Sequence, residues 1–405
     1  MHPCINLGSY NYLGFSDDWR VTCQNAVVGV LDRFGVSMCA SAAEGGYTTL
    51  HRHLERTVAE FVGKPDAITF SMGYGTNATA LPALLGKGTL VISDSLNHTS
   101  IVNGARASGA TIRVFKHDDT RSLEGILQSA LVEGQPRTGS PWRKIVVVVE
   151  GVYSMEGEMV NLPAIVAIAK RYKAYIYLDE AHSIGAVGAT GRGVCEHFGV
   201  DPADIDVMMG TFTKSFGAMG GYIAANKSFI DYLRHGSSGS VYSQHMAPSV
   251  AAQVLRSFDI IMGRDGSSVG ATKLQAIKDN ANYFRQRLID MGCDVYGHVD
   301  SPVIPVMLFD PCKIIATSRE LFDRGVAAVV VGFPATPLLL ARVRFCISSG
   351  HTRESLDCAL EMIQQTVDKC WLAYRKGEKH KRPLSHLPQK NAEIQLLDPP
   401  LKTKL

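Results

Sequence analysis

Five short apolar runs, alternating with stretches of helical period, constrain this fold more than any other feature. "GTLVIS" (88–93), "ATIRVF" (110–115), "KIVVVVE" (144–150), "AYIYLD" (174–179) and "DVMMG" (206–210) read as strands. Between them Leu123, Ile126, Leu127, Ala130 and Leu131 form one apolar stripe, and Leu162, Ile165, Val166 and Ala169 form another. This alternation predicts an α/β fold with a large, mostly parallel sheet covered by helices. After residue 246 a long helical stretch, including "ATKLQAIKDNANYFRQRLIDMG", leads to strands near 302–309, 326–331 and 341–347. They predict a smaller C-terminal α/β domain. The expected division is an N-terminal segment (1–45), a large domain (46–265), a small domain (266–374) and a mobile basic tail (375–405). That tail holds eight Lys/Arg against three Asp/Glu, four prolines and no apolar period.

Composition narrows the function. The 405 residues carry 41 Lys/Arg and 38 Asp/Glu, too balanced for nucleic-acid binding as the main activity. Nine cysteines are scattered without CxxC pairs or metal-ligand spacing, so neither a disulfide framework nor a metal site is expected and the compartment reads as reducing. No segment approaches the roughly 18 uninterrupted apolar residues of a spanning helix.

Charged residues at the strand ends are the chemical signal. In "GTFTKSFGAMGG" (210–221) Lys214 follows the buried run "DIDVMM", and in open α/β sheets ligands bind in the crevice beyond the carboxyl ends of strands. "AYIYLDEAHSIGAVG" ends a very apolar strand on Asp179, with His182 three residues on. A carboxylate there needs a positive partner or several backbone N–H groups. "SMGYGTNATALPALLG" reads as strand, glycine turn and helix, which offers backbone N–H groups to an anion. His98 follows another strand in "SDSLNHTS". One ligand accounts for all of these: pyridoxal 5′-phosphate needs an amine for its aldehyde, a cradle for its phosphate and a carboxylate for its ring nitrogen. Lys214, the "GYG" turn and Asp179 would supply them.

The stretches "NLGSYNYLGF", "SDSLNHTSIVNGARASGA", "VEGVYSMEG", "LDEAHSIGAVGATGRG", "GTFTKSFGAMGGYI" and "ARVRFCISSGHT" resemble the α-oxoamine synthases over about residues 5–370. "GQPRTGSPWRKI", "FKHDDTRSLE" and "VVVGFPATPLL" are similar to one branch of that family, the lysine-bearing second long-chain-base subunits of eukaryotic serine palmitoyltransferase. The resemblance implies the pyridoxal-phosphate-dependent fold type I and condensation of L-serine with a long-chain acyl-CoA, palmitoyl-CoA, to 3-ketodihydrosphingosine. It implies that Lys214 bonds the cofactor, Asp179 pairs with the pyridine nitrogen, His182 reaches the phenolic oxygen and His98 stacks on the ring. Gly73 and Tyr74 would form the phosphate turn, Ser154 and Thr211 would contact the cofactor, and Asn11 and Arg344 would face the substrate. "FPATP" resembles a loop that closes over substrate.

The same resemblance implies a heterodimer with a homologous, lysine-lacking subunit at the cytosolic face of the endoplasmic reticulum. Relatives of this type carry a membrane-spanning helix ahead of the "NYLG" motif, so membrane association is expected through such a segment or through the partner. Two stretches depart from the family pattern. "SAAEGGYTTLHRHLE" lacks the usual Gly-Asn or Gly-Thr turn, and "SVYSQHMAP" has Gln244 where a threonine reaching the neighbouring subunit's phosphate is usual. Two alternatives stay open at this point: another α-oxoamine synthase, using glycine or alanine with a different acyl-CoA, or a catalytically impaired scaffold subunit.

Overall fold

The computed structural model describes residues 3–375, so the expected basic tail lies outside the described residues except for Arg375. Twelve strands occur among them: β1 (Ile5–Asn6), β2 (Asp66–Phe70), β3 (Thr89–Asp94), β4 (Thr111–Phe115), β5 (Lys144–Glu150), β6 (Tyr175–Asp179), β7 (Val207–Thr211), β8 (Gly221–Ala225), β9 (Val303–Phe309), β10 (Val326–Ala327), β11 (Val329–Val331) and β12 (Ala341–Cys346). Seven of these form the central sheet in the order β2-β8-β7-β6-β5-β3-β4. Within it only β8 runs antiparallel to its neighbours.

Strand β5 shows why the apolar runs are unbroken. Ile145, Val147 and Val149 join Ile176 and Leu178 of β6 in the core on one face of the sheet, while Val146 and Val148 join Tyr177 on the other. Both faces are covered by helices, so no polar residue alternates with the apolar ones. The helix Leu162–Tyr172 buries its whole predicted stripe. In the helix Thr120–Glu133 the buried residues are Leu123, Leu127 and Ala130. Leu131 lies one residue further around the helix and is 53 % exposed.

Strands β9, β11 and β12 form a second, antiparallel sheet in the order β11-β12-β9. The 22-residue helix Val269–Asp290 links the two bodies: Leu274 and Ile277 pack in the large core, Phe284 and Leu288 in the small one. The first residues form a strap across both. β1 pairs in parallel with β10 and Leu7 enters the small core, whereas Tyr12, Leu13 and Phe15 enter the large core. The strap thereby holds Tyr10 and Tyr12 over the ends of the central strands. No helix among the described residues is long and apolar enough to cross a membrane.

Candidate active site

The strand ends bring the expected residues together. β5 and β6 end side by side on Glu150 and Asp179, which are register partners. β7 ends at Thr211, and Lys214 lies three residues beyond it. Asp179 is only 3 % exposed. Its Oδ2 accepts a hydrogen bond from Asn77 Nδ2 at 2.8 Å and its Oδ1 accepts the Ala181 N–H at 2.9 Å. Asn77 is itself fixed, because its Oδ1 accepts the Tyr177 hydroxyl at 2.6 Å and its Nδ2 also reaches Ser100 Oγ at 3.0 Å. Two donors therefore satisfy the carboxylate, and no salt bridge to Asp179 forms among the described residues. A cationic ring nitrogen would find a carboxylate already oriented and unpaired.

Burial and charge set the protonation states. Protein crowded around the Lys214 amine pulls it down from 10.5 to about 8, against the opposing pull of Asp179 and Glu150. Its Nζ lies 5.6 Å from the centre of the Tyr10 ring. Burial raises Glu150 well above the usual carboxylate range, and neighbouring Asp179 raises it further. Burial likewise drives His182 well below its ordinary value, helped by Lys214 and Arg344. His182 Nδ1 lies 2.8 Å from the Tyr12 hydroxyl. Burial raises the Tyr12 phenol well above 10, so it keeps its proton and donates it to Nδ1. The neutral imidazole then carries its hydrogen on Nε2 and can donate to an anionic oxygen.

His98 caps the helix Thr99–Ala107, its Nδ1 accepting the Ser100 N–H at 3.2 Å. Its ring stands edge to face with Tyr74 at 6.2 Å. Arg344, on β12, is 4 % exposed and lies 4.7 Å from the centre of the Tyr10 ring. Its Nη1 donates to the Ser154 carbonyl at 3.4 Å and contacts Met155 Sδ at 3.5 Å, while its Nε has no partner. A buried guanidinium without a carboxylate suits a substrate that brings one.

Asn11, expected on the substrate side, has its side chain engaged nearby in the chain. Its Nδ2 donates to Asp17 Oδ2 at 2.9 Å and its Oδ1 accepts the Ser16 N–H at 3.3 Å, closing a local turn. Tyr10, Tyr12, Asn77 and Glu150 are site residues that sequence reasoning does not single out. Tyr10 and Tyr12 flank Asn11 in "NLGSYNYLGF", and Glu150 ends "KIVVVVE", so the motifs hold them without revealing their contacts. The two stretches that depart from the family pattern meet each other, through an antiparallel bridge between Ser41 and Gln244. Below it His51 Nε2 reaches the Met246 carbonyl at 2.8 Å and the His51 ring stacks on His245 at 4.0 Å.

The residues fit pyridoxal phosphate. The helix Gly73–Leu84 opens after Met72 with no side-chain cap, so its first N–H groups face an anion site. Thr211 Oγ1 donates to the Gly220 carbonyl at 2.8 Å and stands at the same place, so close that a Cβ on Gly73 would lie 2.6 Å from it. The Tyr74 hydroxyl accepts from Asn103 Nδ2 at 2.6 Å, which holds the turn from the other side. Gly73→Ala is therefore expected to weaken cofactor retention about ten-fold or more while the fold persists, as a methyl group enters the cradle. Dialysis of the variant against the wild type, with the visible absorbance of the bound cofactor as readout, checks this. Equal retention would place the phosphate elsewhere.

Comparison with known proteins agrees with this geometry. The model of the aminotransferase class I and II family matches residues 2–363. Long chain base biosynthesis protein 2d of Oryza sativa subsp. japonica is 56 % identical over 380 residues, 93 % of this chain and 77 % of that protein. Serine palmitoyltransferase 2 of Dictyostelium discoideum is 50 % identical over 375 residues, 93 % of this chain and 76 % of that protein. Among solved structures, a serine palmitoyltransferase from S. paucimobilis carrying a bound PLP–myriocin aldimine superposes with a TM-score of 0.82 at 31 % identity, covering 91 % of this chain and 88 % of that one. The chain thus belongs to the pyridoxal-phosphate-dependent aminotransferase class I and II family, and within it to the α-oxoamine synthases of the serine palmitoyltransferase group.

Proposed function

We propose that this chain is the lysine-bearing subunit of a serine palmitoyltransferase, condensing L-serine with palmitoyl-CoA to 3-ketodihydrosphingosine with release of CO2 and CoA. The observation that carries this is the buried Lys214 amine, which feels both the Asp179 carboxylate and the Arg344 guanidinium, a guanidinium with no carboxylate partner and a free Nε. When bound, pyridoxal phosphate supplies an electron sink for the pair left at the serine Cα. Lys214 would hold the cofactor and, as an amine lowered to about 8, would be the base for the Cα proton. Asp179 would keep the pyridine nitrogen protonated, His182 Nε2–H would donate to the phenolic oxygen, and His98 would cover the ring. Arg344 takes the serine carboxylate and orients the Cα–H bond. The 50–56 % identities to proteins of this group support serine over glycine or alanine.

Assembly belongs to the same proposal. The active partner is a homologous, lysine-lacking subunit, and the pair works at the cytosolic face of the endoplasmic reticulum, held to the membrane through the partner or a preceding segment. Exposed Met72, Tyr74, Leu96 and Met219 lie beside the phosphate turn, the His98 cap and the Lys214 loop in the chain, and they support a partner covering the mouth of the site. Co-expression with such a partner should raise serine-dependent formation of the long-chain ketone at least about ten-fold over the chain alone. Full activity of the isolated chain would refute the heterodimer. A colourless purified complex would favour the scaffold reading, and a preference for glycine or alanine would favour a different synthase.

A further inference from the structure

A largely buried ionic cluster lies beneath the hairpin formed where Val152 pairs with Met159. At its centre is His117, in the "FKHDD" stretch just after β4. His117 Nδ1 is 3.1 Å from both Asp94 oxygens, and Nε2 is 3.0 Å from Glu158 Oε2. Its ring meets the Tyr153 ring edge to face at 4.3 Å. A neutral imidazole has one N–H, so it could donate to only one of these carboxylates and would turn a lone pair toward the other. The arrangement calls for an imidazolium donating from both nitrogens. Burial alone opposes that charge, but the hydrogen bonds to Asp94 and Glu158 and their charges outweigh it and lift His117 to about 10.

The clamped hairpin is the platform for Arg344. The Ser154 carbonyl and Met155 Sδ are the atoms that Arg344 Nη1 touches. The Met155 carbonyl and Glu156 Oε1 hold Arg342 of the same strand at 2.8 and 3.1 Å. The hairpin is closed on itself by Tyr153 N–H to the Glu158 carbonyl at 2.9 Å and Gly157 N–H to the Tyr153 carbonyl at 2.8 Å. It is wedged so tightly against β9 that a Cβ on Gly157 would lie 2.4 Å from the Val303 carbonyl oxygen. One end of the wedge is tied to the large sheet by His117, and the other sets the guanidinium on β12.

We propose that His117, clamped between Asp94 and Glu158, is a positioning residue for the amino-acid substrate: it fixes the hairpin whose Ser154 carbonyl and Met155 thioether aim Arg344 at the substrate carboxylate. This rests on the reading of Arg344 as the carboxylate site, and the test separates the two. His117→Gln removes the charge that ties both carboxylates. Glu158→Gln loosens the hairpin end alone and strands no buried charge, since Asp94 still pairs with the imidazolium.

In the assembled holoenzyme the dissociation constant of L-serine is read from the visible spectral change of the bound cofactor, beside that of ethanolamine, which is serine without its carboxylate. Both variants are expected to weaken serine about ten-fold, the scale of misplacing a binding group by a fraction of an ångström, and to leave ethanolamine within two-fold. KM for serine should rise in step while KM for palmitoyl-CoA holds. Equal weakening of serine and ethanolamine, or unchanged serine affinity with only a lower melting temperature, would overturn the proposal. Should His117→Gln fail to fold, Glu158→Gln carries the same comparison. Arg344→Gln is the control. If it weakens serine and the hairpin variants do not, the positioning role falls alone; if it too leaves serine unchanged, the carboxylate assignment itself is wrong.

Discussion

Replacing Lys214 by alanine is expected to lower turnover by about four orders of magnitude or more, because one side chain has two tasks and both are lost. The first task is to bond the cofactor, which requires a neutral amine. An ordinary lysine, at 10.5, is neutral in only about one molecule in a thousand at pH 7.5. Lys214, lowered to about 8 by the protein around it, is neutral in roughly a quarter of molecules. The sign gives a pH test on the wild type: covalent loading of added pyridoxal phosphate should quicken as pH rises toward about 8 and level off above it. The second task is to move the Cα proton. With α-deuterated serine and the alanine variant, the cofactor still sits in its cradle and serine still enters, but deuterium should remain on Cα by NMR. Washout at the wild-type rate would identify another base. An unchanged lysine-type spectrum without serine would identify another lysine as the anchor.

The parts of this fold legible in the sequence are those whose signal is local. β5 and β6 can be read because burial on both faces leaves an uninterrupted apolar run, and that needs no knowledge of neighbours. β8, "GYIAA", cannot, because Tyr222 and Ile223 alone, set among one glycine and two alanines, make too short an apolar run to announce a strand. Glycine is required here by packing: the Thr76 hydroxyl oxygen lies 2.6 Å from where a Cβ of Gly221 would be. β2 shows only as the strand that leads into the glycine turn, and the break at Ala328 between β10 and β11 carries no signal within its apolar run.

The site divides in the same way. Lys214, Asp179 and the "GYG" turn stand out by being polar or glycine-rich at strand ends. Tyr12 and Asn77 do not, because their meaning lies in partners at long range: Tyr12 lies 170 residues from His182, and Asn77 lies 102 from Asp179. No spacing rule reaches so far. Asn11 shows the converse. The motif makes it conspicuous, while its side chain is engaged in holding the turn that presents its neighbours Tyr10 and Tyr12.

Asp179→Asn should fold almost normally and yet lose about two to three and a half orders of magnitude in turnover. The fold survives because the hydrogen bonds can be re-formed. The substituted side chain keeps an oxygen for the Ala181 N–H, and its new amide meets Asn77, whose own amide can rotate to offer its oxygen. The Tyr177 hydroxyl, now facing an N–H of Asn77, can turn from donor to acceptor. That rearrangement costs about 1 kcal/mol, the scale of one exchanged hydrogen bond. The catalytic loss is larger, since the charge that keeps the pyridine nitrogen protonated is gone. Leaving one partner of a buried pair uncompensated costs about 3 to 5 kcal/mol, and each 1.36 kcal/mol of barrier is a factor of about ten in rate. Melting temperature and single-turnover loss of the Cα proton, measured on the same preparation, separate the two effects. A variant that melts near the wild type and turns over within a few-fold of it would remove Asp179 from the cofactor's ring nitrogen. An Asn77→Ala variant should then behave as the intermediate case, because Asp179 keeps its charge and loses the donor that aims it.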